Sequence, residues 1–329
     1  MFEQPLRGLV LGKFLPPHRG HQLLVDFARH WVDELAVVVG SLPAEPIPGE
    51  VRWRWMRELF PDCHVLHLDE VLPQTPEETP DPELFWARWR SSLQRILPWP
   101  VDCVFASESY GERLAAELGA RFQPLDLPRQ IRPISGTQIR EDPFSHWEDL
   151  PACVRPWFVR RVCLAGPESS GKSTLARQLA AHFQTVCVPE YAEILLRYQA
   201  GQWAESDFER LRHGQPALEE ALARQANRLL FCDTDLSMSM LWSEELYGRC
   251  APALAESAAA RHYDLTLLCA PDLDWEPDEH RLRPQTRQRF FERCQALLSV
   301  QQRPFRVIRG QGAARFESAC QALRETGLI

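Results

Sequence analysis

Apolar residues occur in two alternating arrangements along the chain, short continuous runs and longer stretches with helical spacing. Leu6 to Gly12 is a short apolar run that ends in glycine and is followed by a loop containing Pro16 and Pro17. His21, Leu24, Val25, Ala28, Trp31 and Val32 then recur with the spacing of one helix face. Further strands are predicted at Leu35 to Gly40, His64 to Leu68 and Val101 to Ala106, with helices around Val51 to Phe60 and Leu84 to Ile96 between them. Alternating β and α elements imply a parallel sheet covered on both faces.

From Pro143 to Arg161 the pattern becomes irregular and rich in proline and aromatic residues. A second alternation follows: a strand at Val162 to Ala165, a glycine loop, a helix from Gly171 to about Phe183, and strands near Thr185, Leu229, Asp264 and Phe305. The expectation is an α/β protein of two doubly wound parallel-sheet domains, residues 1–152 and 153–329. A chain of 329 residues suits two cores of ordinary size.

Composition narrows the partners. A net charge of -8 argues against a grip on a phosphate backbone, which needs a basic face, so no DNA partner is expected. The longest apolar runs, such as Leu35 to Val39, fall far short of the roughly 20 residues of a membrane helix, and the start of the chain lacks a signal-peptide pattern. A cytoplasmic protein without membrane insertion is expected. Ten scattered cysteines include no C-x-x-C pair, so they are expected to be reduced thiols without zinc. All but two of the 37 basic residues are arginine, and the two lysines, Lys13 and Lys172, both lie in glycine-flanked motifs. Codon bias explains the arginine excess but not the placement of the exceptions. A compact ammonium suits a tight phosphate cradle better than a planar guanidinium.

The segment GPESSGKS, Gly166 to Ser173, fits the P-loop pattern and lies between an apolar strand and an amphipathic helix. Gly166 and Gly171 let backbone N–H groups, including those at Ser169 and Ser170, turn toward phosphate at a helix start. Lys172 is placed to reach the β and γ phosphates of ATP, and Ser173 to ligate Mg²⁺ with Thr174 beside it. An acidic partner for the metal is expected at the end of LLFCDTD, at Asp233 or Asp235, with the choice open. Glu190 in VPEY is a candidate to activate an attacking hydroxyl or to bind the second substrate; an ordinary acid at a helix start is the rival reading.

In GKFLPPHRGH, His18 and His21 flank Gly20 where a helix begins, a placement that lets two imidazoles face one phosphate. Late in the same domain ISGTQIR offers Ser135 and Thr137 at another helix start and Arg140 one turn on. Together the two motifs point to a nucleotidyltransferase.

The pairing of GKFLPPHRGH with ISGTQIR resembles the HxGH nucleotidyltransferases. Its continuation into GPESSGKST, PEY and FCDTD resembles the NadR family, which joins nicotinamide mononucleotide (NMN) adenylyltransferase to ribosylnicotinamide kinase. The resemblance implies that Gly12, Lys13, Phe14, His18, His21, Ser135, Thr137 and Arg140 bind and activate ATP in the first domain. It places Trp86 and Trp89 near a nicotinamide ring, with Trp55 a weaker candidate. In the second domain it assigns Glu190, Tyr191, Asp235, Trp275 and Asp278 to the nucleoside and Arg281 to the phosphates of ATP. The segment WEPDEHR carries Glu279 where the family pattern has glycine. Arg287 and Arg289 beyond it are read as a solvated basic face or part of a lid.

The implied chemistry is phosphorylation of ribosylnicotinamide to NMN, followed by condensation of NMN with a second ATP to NAD and pyrophosphate. Members of the family that repress transcription carry a helix-turn-helix domain; with eleven residues before Gly12, none is expected here. Two rival readings stand beside this one: the same chemistries on another nucleoside and another acceptor, such as nicotinate mononucleotide, or a nucleotide-sensing regulator or transporter partner with weak turnover. Homo-oligomerisation is left open.

Overall fold

The computed structural model describes residues 4–274 and 286–329. They form two compact units, Met1–Val154 and Arg155–Ile329.

The first unit contains β1 (Arg7–Gly12), α1 (Arg19–Trp31), β2 (Glu34–Gly40), α2 (Gly49–Leu59), β3 (His64–Leu68), α3 (Pro82–Ile96), β4 (Cys103–Ala106), α4 (Tyr110–Leu118), β5 (Arg121–Pro124) and α5 (Gly136–Glu141). Its five strands lie in the order β3-β2-β1-β4-β5, all parallel. Both faces of β2 and β4 are covered, which is why Leu35 to Val39 and Cys103 to Ala106 read as unbroken apolar runs. On one face Val10, Val37 and Phe105 pack against Leu24, Val25 and Ala28 of α1 and Met56 of α2. On the other, Leu9, Val38 and Val104 pack against Leu93 of α3 and Leu114 of α4. Each buried Val, Leu, Met or Phe side chain among them contributes roughly 1.5–3 kcal/mol relative to exposure.

The second unit contains α6 (Arg155–Phe158), β6 (Arg160–Ala165), α7 (Lys172–His182), β7 (Val186–Val188), α8 (Tyr191–Tyr198), α9 (Asp207–Ala223), β8 (Leu229–Asp233), α10 (Leu236–Tyr247), α11 (Pro252–Ala259), β9 (Leu265–Cys269), α12 (Arg287–Val300), β10 (Phe305–Ile308) and α13 (Gly312–Glu325). Its parallel sheet has the order β10-β9-β6-β8-β7. Central β8 and β9 are buried throughout, and α7 and α13 cover one face through Leu175, Leu179, Ala319 and Leu323.

In both sheets the first strand lies at the centre, with neighbours added on either side. That reversal of strand order opens a crevice at the C-terminal ends of the strands, the place where ligands bind in doubly wound sheets. The ten cysteines are all free thiols, most of them buried. Among the described residues no helix is long and apolar enough to cross a membrane.

Candidate functional site

The crevice of the first unit is a cleft of about 680 Å³. Every residue that the sequence nominated there for ATP lines it: Gly12, Lys13, Phe14, His18, His21, Ser135, Thr137 and Arg140. Trp86 and Trp89 line it too, whereas Trp55 is buried on α2 and does not.

Local geometry brings these side chains together. β1 ends at Gly12, and Phe14 turns the chain in the left-handed region, at φ 48°, with its ring buried and edge-on to His21. His18 caps α1, its Nδ1 accepting the Gly20 N–H at 3.1 Å. An accepting Nδ1 leaves the ring proton on Nε2, so His18 is a neutral hydrogen-bond donor. The His18 and His21 rings stack with centroids 3.8 Å apart. Burial first, and then Arg129, lower the His18 pKa to about 4. Burial, then His18 and Arg129, hold His21 well below its ordinary value. Both imidazoles are therefore uncharged at neutral pH. Among the described residues the buried Nδ1 of His21 has no hydrogen-bond partner.

The second motif docks on the same loop. Ser135 and Gln138 form a reciprocal capping box at the start of α5. Arg140 donates to the Leu15 carbonyl at 2.5 Å and to Thr137 Oγ1 at 3.1 Å. Gly136 lies against the same carbonyl, so closely that a Cβ there would collide with it. GKFLPPHRGH and ISGTQIR, more than a hundred residues apart, thus meet at Leu15.

Four charged residues that the motifs do not name complete the arrangement. Glu45 pairs with Lys13 at 3.0 Å and with the fully buried Arg52. Burial opposes its ionisation, yet the Leu42 N–H, Lys13 and Arg52 together hold its carboxyl below the ordinary value. Arg52 also donates to the carbonyls of Lys13, Ile47 and Gly40, tying the phosphate-facing loop to the end of β2. Arg129 and Arg132 reach the cleft from a loop folded around Asp126, whose carboxylate accepts the N–H groups of Gln130, Ile131 and Arg132 at 2.7–3.0 Å. Their only sequence signal is the presence of two arginines within the five residues before ISGTQIR.

In the second unit the P-loop runs from β6 into α7. Gly166, Ser169 and Gly171 all have positive φ, at 137°, 52° and 75°, and a Cβ on Gly166 would meet the Cys269 carbonyl at 2.6 Å. Glycine is required at that close approach. Lys172 Nζ donates to the Pro167 carbonyl at 2.9 Å, and the buried Ser170 hydroxyl donates to the same carbonyl at 2.8 Å. Ser170 therefore braces the loop with its side chain, while Thr174 is exposed at the start of α7. Two arginines hold the loop from behind. Arg315 donates to the carbonyls of Ser170 and Ala270, and Arg287 to those of Ser169 and Leu273. Arg287 is thus more than a solvated basic residue.

The two candidate aspartates have different surroundings. Asp233 ends β8 where the Ser173 side chain and Lys172 favour its charged form, and its buried Oδ1 has no hydrogen-bond partner among the described residues. Burial raises its pKa against the pull of Lys172. Asp235 caps α10, with Oδ1 accepting the Met238 N–H at 3.1 Å and Oδ2 bound to Arg303 at 2.6 Å. Only 1% exposed, Asp235 has each of its oxygens engaged within the protein. Glu190 precedes α8 without making a capping hydrogen bond. Burial raises its pKa, opposed by Lys172 and reinforced by Asp233, which places its carboxyl in the same electrostatic cluster. Tyr191 is fastened by its N–H to Gln215 Oε1 at 2.8 Å, and its ring lies against Gly214. Trp275, Asp278 and Arg281 lie outside the described residues.

The fold and these two centres define the class, a two-unit α/β nucleotide-binding protein. A family profile described as an AAA domain matches residues 161–315. The trifunctional NAD biosynthesis/regulator protein NadR of Escherichia coli (strain K12) is 29% identical over 299 residues, covering 82% of this chain and 70% of that protein. A nicotinamide-nucleotide adenylyltransferase of Methanospirillum hungatei JF-1 is 27% identical over 158 residues, 46% of this chain and 80% of its own length. A crystal structure of NadR protein in complex with NAD and AMP-PNP shares the fold at TM-score 0.75 and 22% identity, covering 99% of this chain and 97% of its own. A second, in complex with NR, gives TM-score 0.77 at 22% identity and covers 97% and 95%. The chain is a homologue of NadR.

Proposed function

We propose that this chain is a bifunctional transferase of NAD biosynthesis, in which the second unit phosphorylates ribosylnicotinamide to NMN and the first joins NMN to AMP from ATP. The observation that carries this reading is the convergence of both HxGH-unit motifs on one cleft, in a chain whose P-loop lies beside a carboxylate cluster. The ligands named for the two NadR crystal structures, NAD, AMP-PNP and NR, are of the same chemical kinds.

In the first unit, the phosphate of NMN attacks the α-phosphorus of ATP and pyrophosphate leaves. His18 Nε2–H and the His21 ring donate hydrogen bonds to the oxygens on which charge develops. Their depressed pKa values keep them neutral donors, so they stabilise that charge without transferring a proton. Lys13, Arg140 and Arg129 neutralise the triphosphate, and Trp86 and Trp89 offer faces to a cationic pyridinium ring.

In the second unit, the 5′-hydroxyl of the nucleoside attacks the γ-phosphorus of ATP. Glu190 is the candidate to take the hydroxyl proton, with the nearby Lys172 charge favouring its ionised form against burial. Backbone N–H groups of the P-loop and Lys172 hold the phosphates. The unsatisfied Asp233 oxygen beside Ser173 fits a divalent cation, and these two side chains would hold Mg²⁺. Bound there, Mg²⁺ would neutralise charge on the phosphates. Among the described residues no cluster of three or more His, Cys, Asp or Glu forms an all-protein metal cage, and Mg²⁺ shared with phosphate does not require one.

Pyrophosphate release with ATP and NMN, and ADP release with ATP and ribosylnicotinamide, test the two halves separately. Absence of either product from the purified chain removes that half of the proposal.

A further inference from the structure

Beside the two tryptophans, Ser41 lines the first cleft and is backed by a second cluster of side chains. Ser41 follows β2 directly and lines the cleft with Trp86 and Trp89. Its N–H donates to the Leu68 carbonyl at 3.0 Å, which fixes its backbone between β2 and β3. A Cβ on the preceding Gly40 would lie 3.9 Å from the Trp89 ring, so Ser41 belongs to the aromatic end of the cleft. Ser41 Oγ is 2.8 Å from His67 Nε2 on β3. On its other side, His67 Nδ1 faces the Glu50 carboxylate of α2 at 3.8 Å, and Trp53 stacks on the ring. Gly49 lets the start of α2 come this close, since a Cβ there would run into both Ser41 Oγ and His67 Nε2.

These contacts set the polarity of one hydroxyl. A carboxylate facing Nδ1 favours the tautomer with its proton on Nδ1, which leaves Nε2 as an acceptor. The Ser41 O–H then donates to Nε2, which leaves the lone pairs of Oγ as its remaining hydrogen-bonding capacity. The 3.8 Å gap to Glu50 is longer than a hydrogen bond, so the cluster orients the hydroxyl and does not activate it as a nucleophile.

We propose that Ser41, oriented by His67 and Glu50, is a specificity residue that reads the substituent on the pyridine ring. As an acceptor it receives an N–H of a carboxamide and repels a carboxylate. Nicotinamide mononucleotide is therefore selected over nicotinate mononucleotide, partly by an attractive contact and partly by a repulsive one. His67 is a positioning residue that acts through Ser41. The inference rests on the adenylyltransferase reading and on the ring lying against Trp86 and Trp89.

The test is pyrophosphate release with each of the two mononucleotides, measured as kcat/KM on the full chain, its Ser41→Ala and His67→Phe variants, and the double variant. Phenylalanine keeps the stack on Trp53 while removing the acceptor. The wild-type protein is expected to prefer the carboxamide, and each single variant to lower the preference about tenfold, mainly through KM. The double variant is expected to fall no further than either single one. An unchanged preference in an active Ser41→Ala protein overturns the proposal, as does a wild-type preference for the carboxylate or none at all. Additive effects remove His67 from it. Thermal melts identify a variant that has failed to fold, and Ser41→Ala alone decides if His67→Phe does so. A wild-type chain that transfers adenylate to neither acceptor sinks the adenylyltransferase reading itself, and this inference with it.

Discussion

His18 couples the stability of the first unit to pH. Its folded-state pKa is about 4 against an ordinary 6.5, so between these values the unfolded chain binds a proton that the folded chain refuses. Stability is therefore full above pH 6.5 and falls as pH drops toward 4, by an amount on the order of 3 kcal/mol. His21 contributes with the same sign. Urea denaturation at pH 7 and pH 5 should show the loss. The His18→Asn variant, which keeps a capping acceptor, should show a smaller one; an equal loss in both proteins contradicts the assignment. In the second unit, Arg303→Ala leaves the Asp235 carboxylate buried without its cation and should cost about 3–5 kcal/mol in denaturant titration. A cost below 1 kcal/mol would mean that Asp235 is not held as described.

Residues inside glycine-flanked motifs were legible in the sequence because their spacing alone implies a turn, a helix start and a phosphate. Glu45, Arg52, Arg129 and Arg132 were not. Charged loop residues read as solvated, and their roles arise from contacts that spacing does not encode: Arg52 meeting the Lys13 carbonyl across 39 positions, or a loop wound around Asp126. The distinction between Asp233 and Asp235 likewise depends on Arg303, which lies 68 residues further on.

At the scale of elements, the strand–loop–helix pairs β1–α1 and β6–α7 stood out because a buried parallel strand is apolar throughout and each is followed by a glycine-bearing motif. β5, RFQP, gave no such signal, since an edge strand needs little apolar character. The helices between β7 and β9 were also hidden. α9 contains Pro216 and buries Gln215 and Glu219, so its face does not read as an apolar stripe. Glu219 is satisfied there by Tyr263 at 2.7 Å and Arg261 at 2.6 Å, both more than forty residues away. The contact between α5 and Leu15 yields a prediction of its own. Gly136→Ala should push α5 off the histidine loop and lower adenylyl transfer by about a hundredfold, the scale expected of a 1 Å misplacement. Undiminished transfer would show that the Leu15 junction does not position the site.

For the whole molecule, the proposed function confines each chemistry to its own α/β unit. Lys172→Ala should abolish NMN formation, by more than about a hundredfold, and leave adenylation of supplied NMN nearly intact; His21→Ala should do the reverse. Loss of both activities from either substitution would contradict their independence. The central claim is that one chain carries ribosylnicotinamide through to the dinucleotide. Mass analysis of the products from ribosylnicotinamide, ATP and Mg²⁺ with the purified full-length chain tests it most directly. NAD, ADP and pyrophosphate are the predicted products, with NMN appearing first; unchanged ribosylnicotinamide after prolonged incubation, with no NMN formed, would contradict the account.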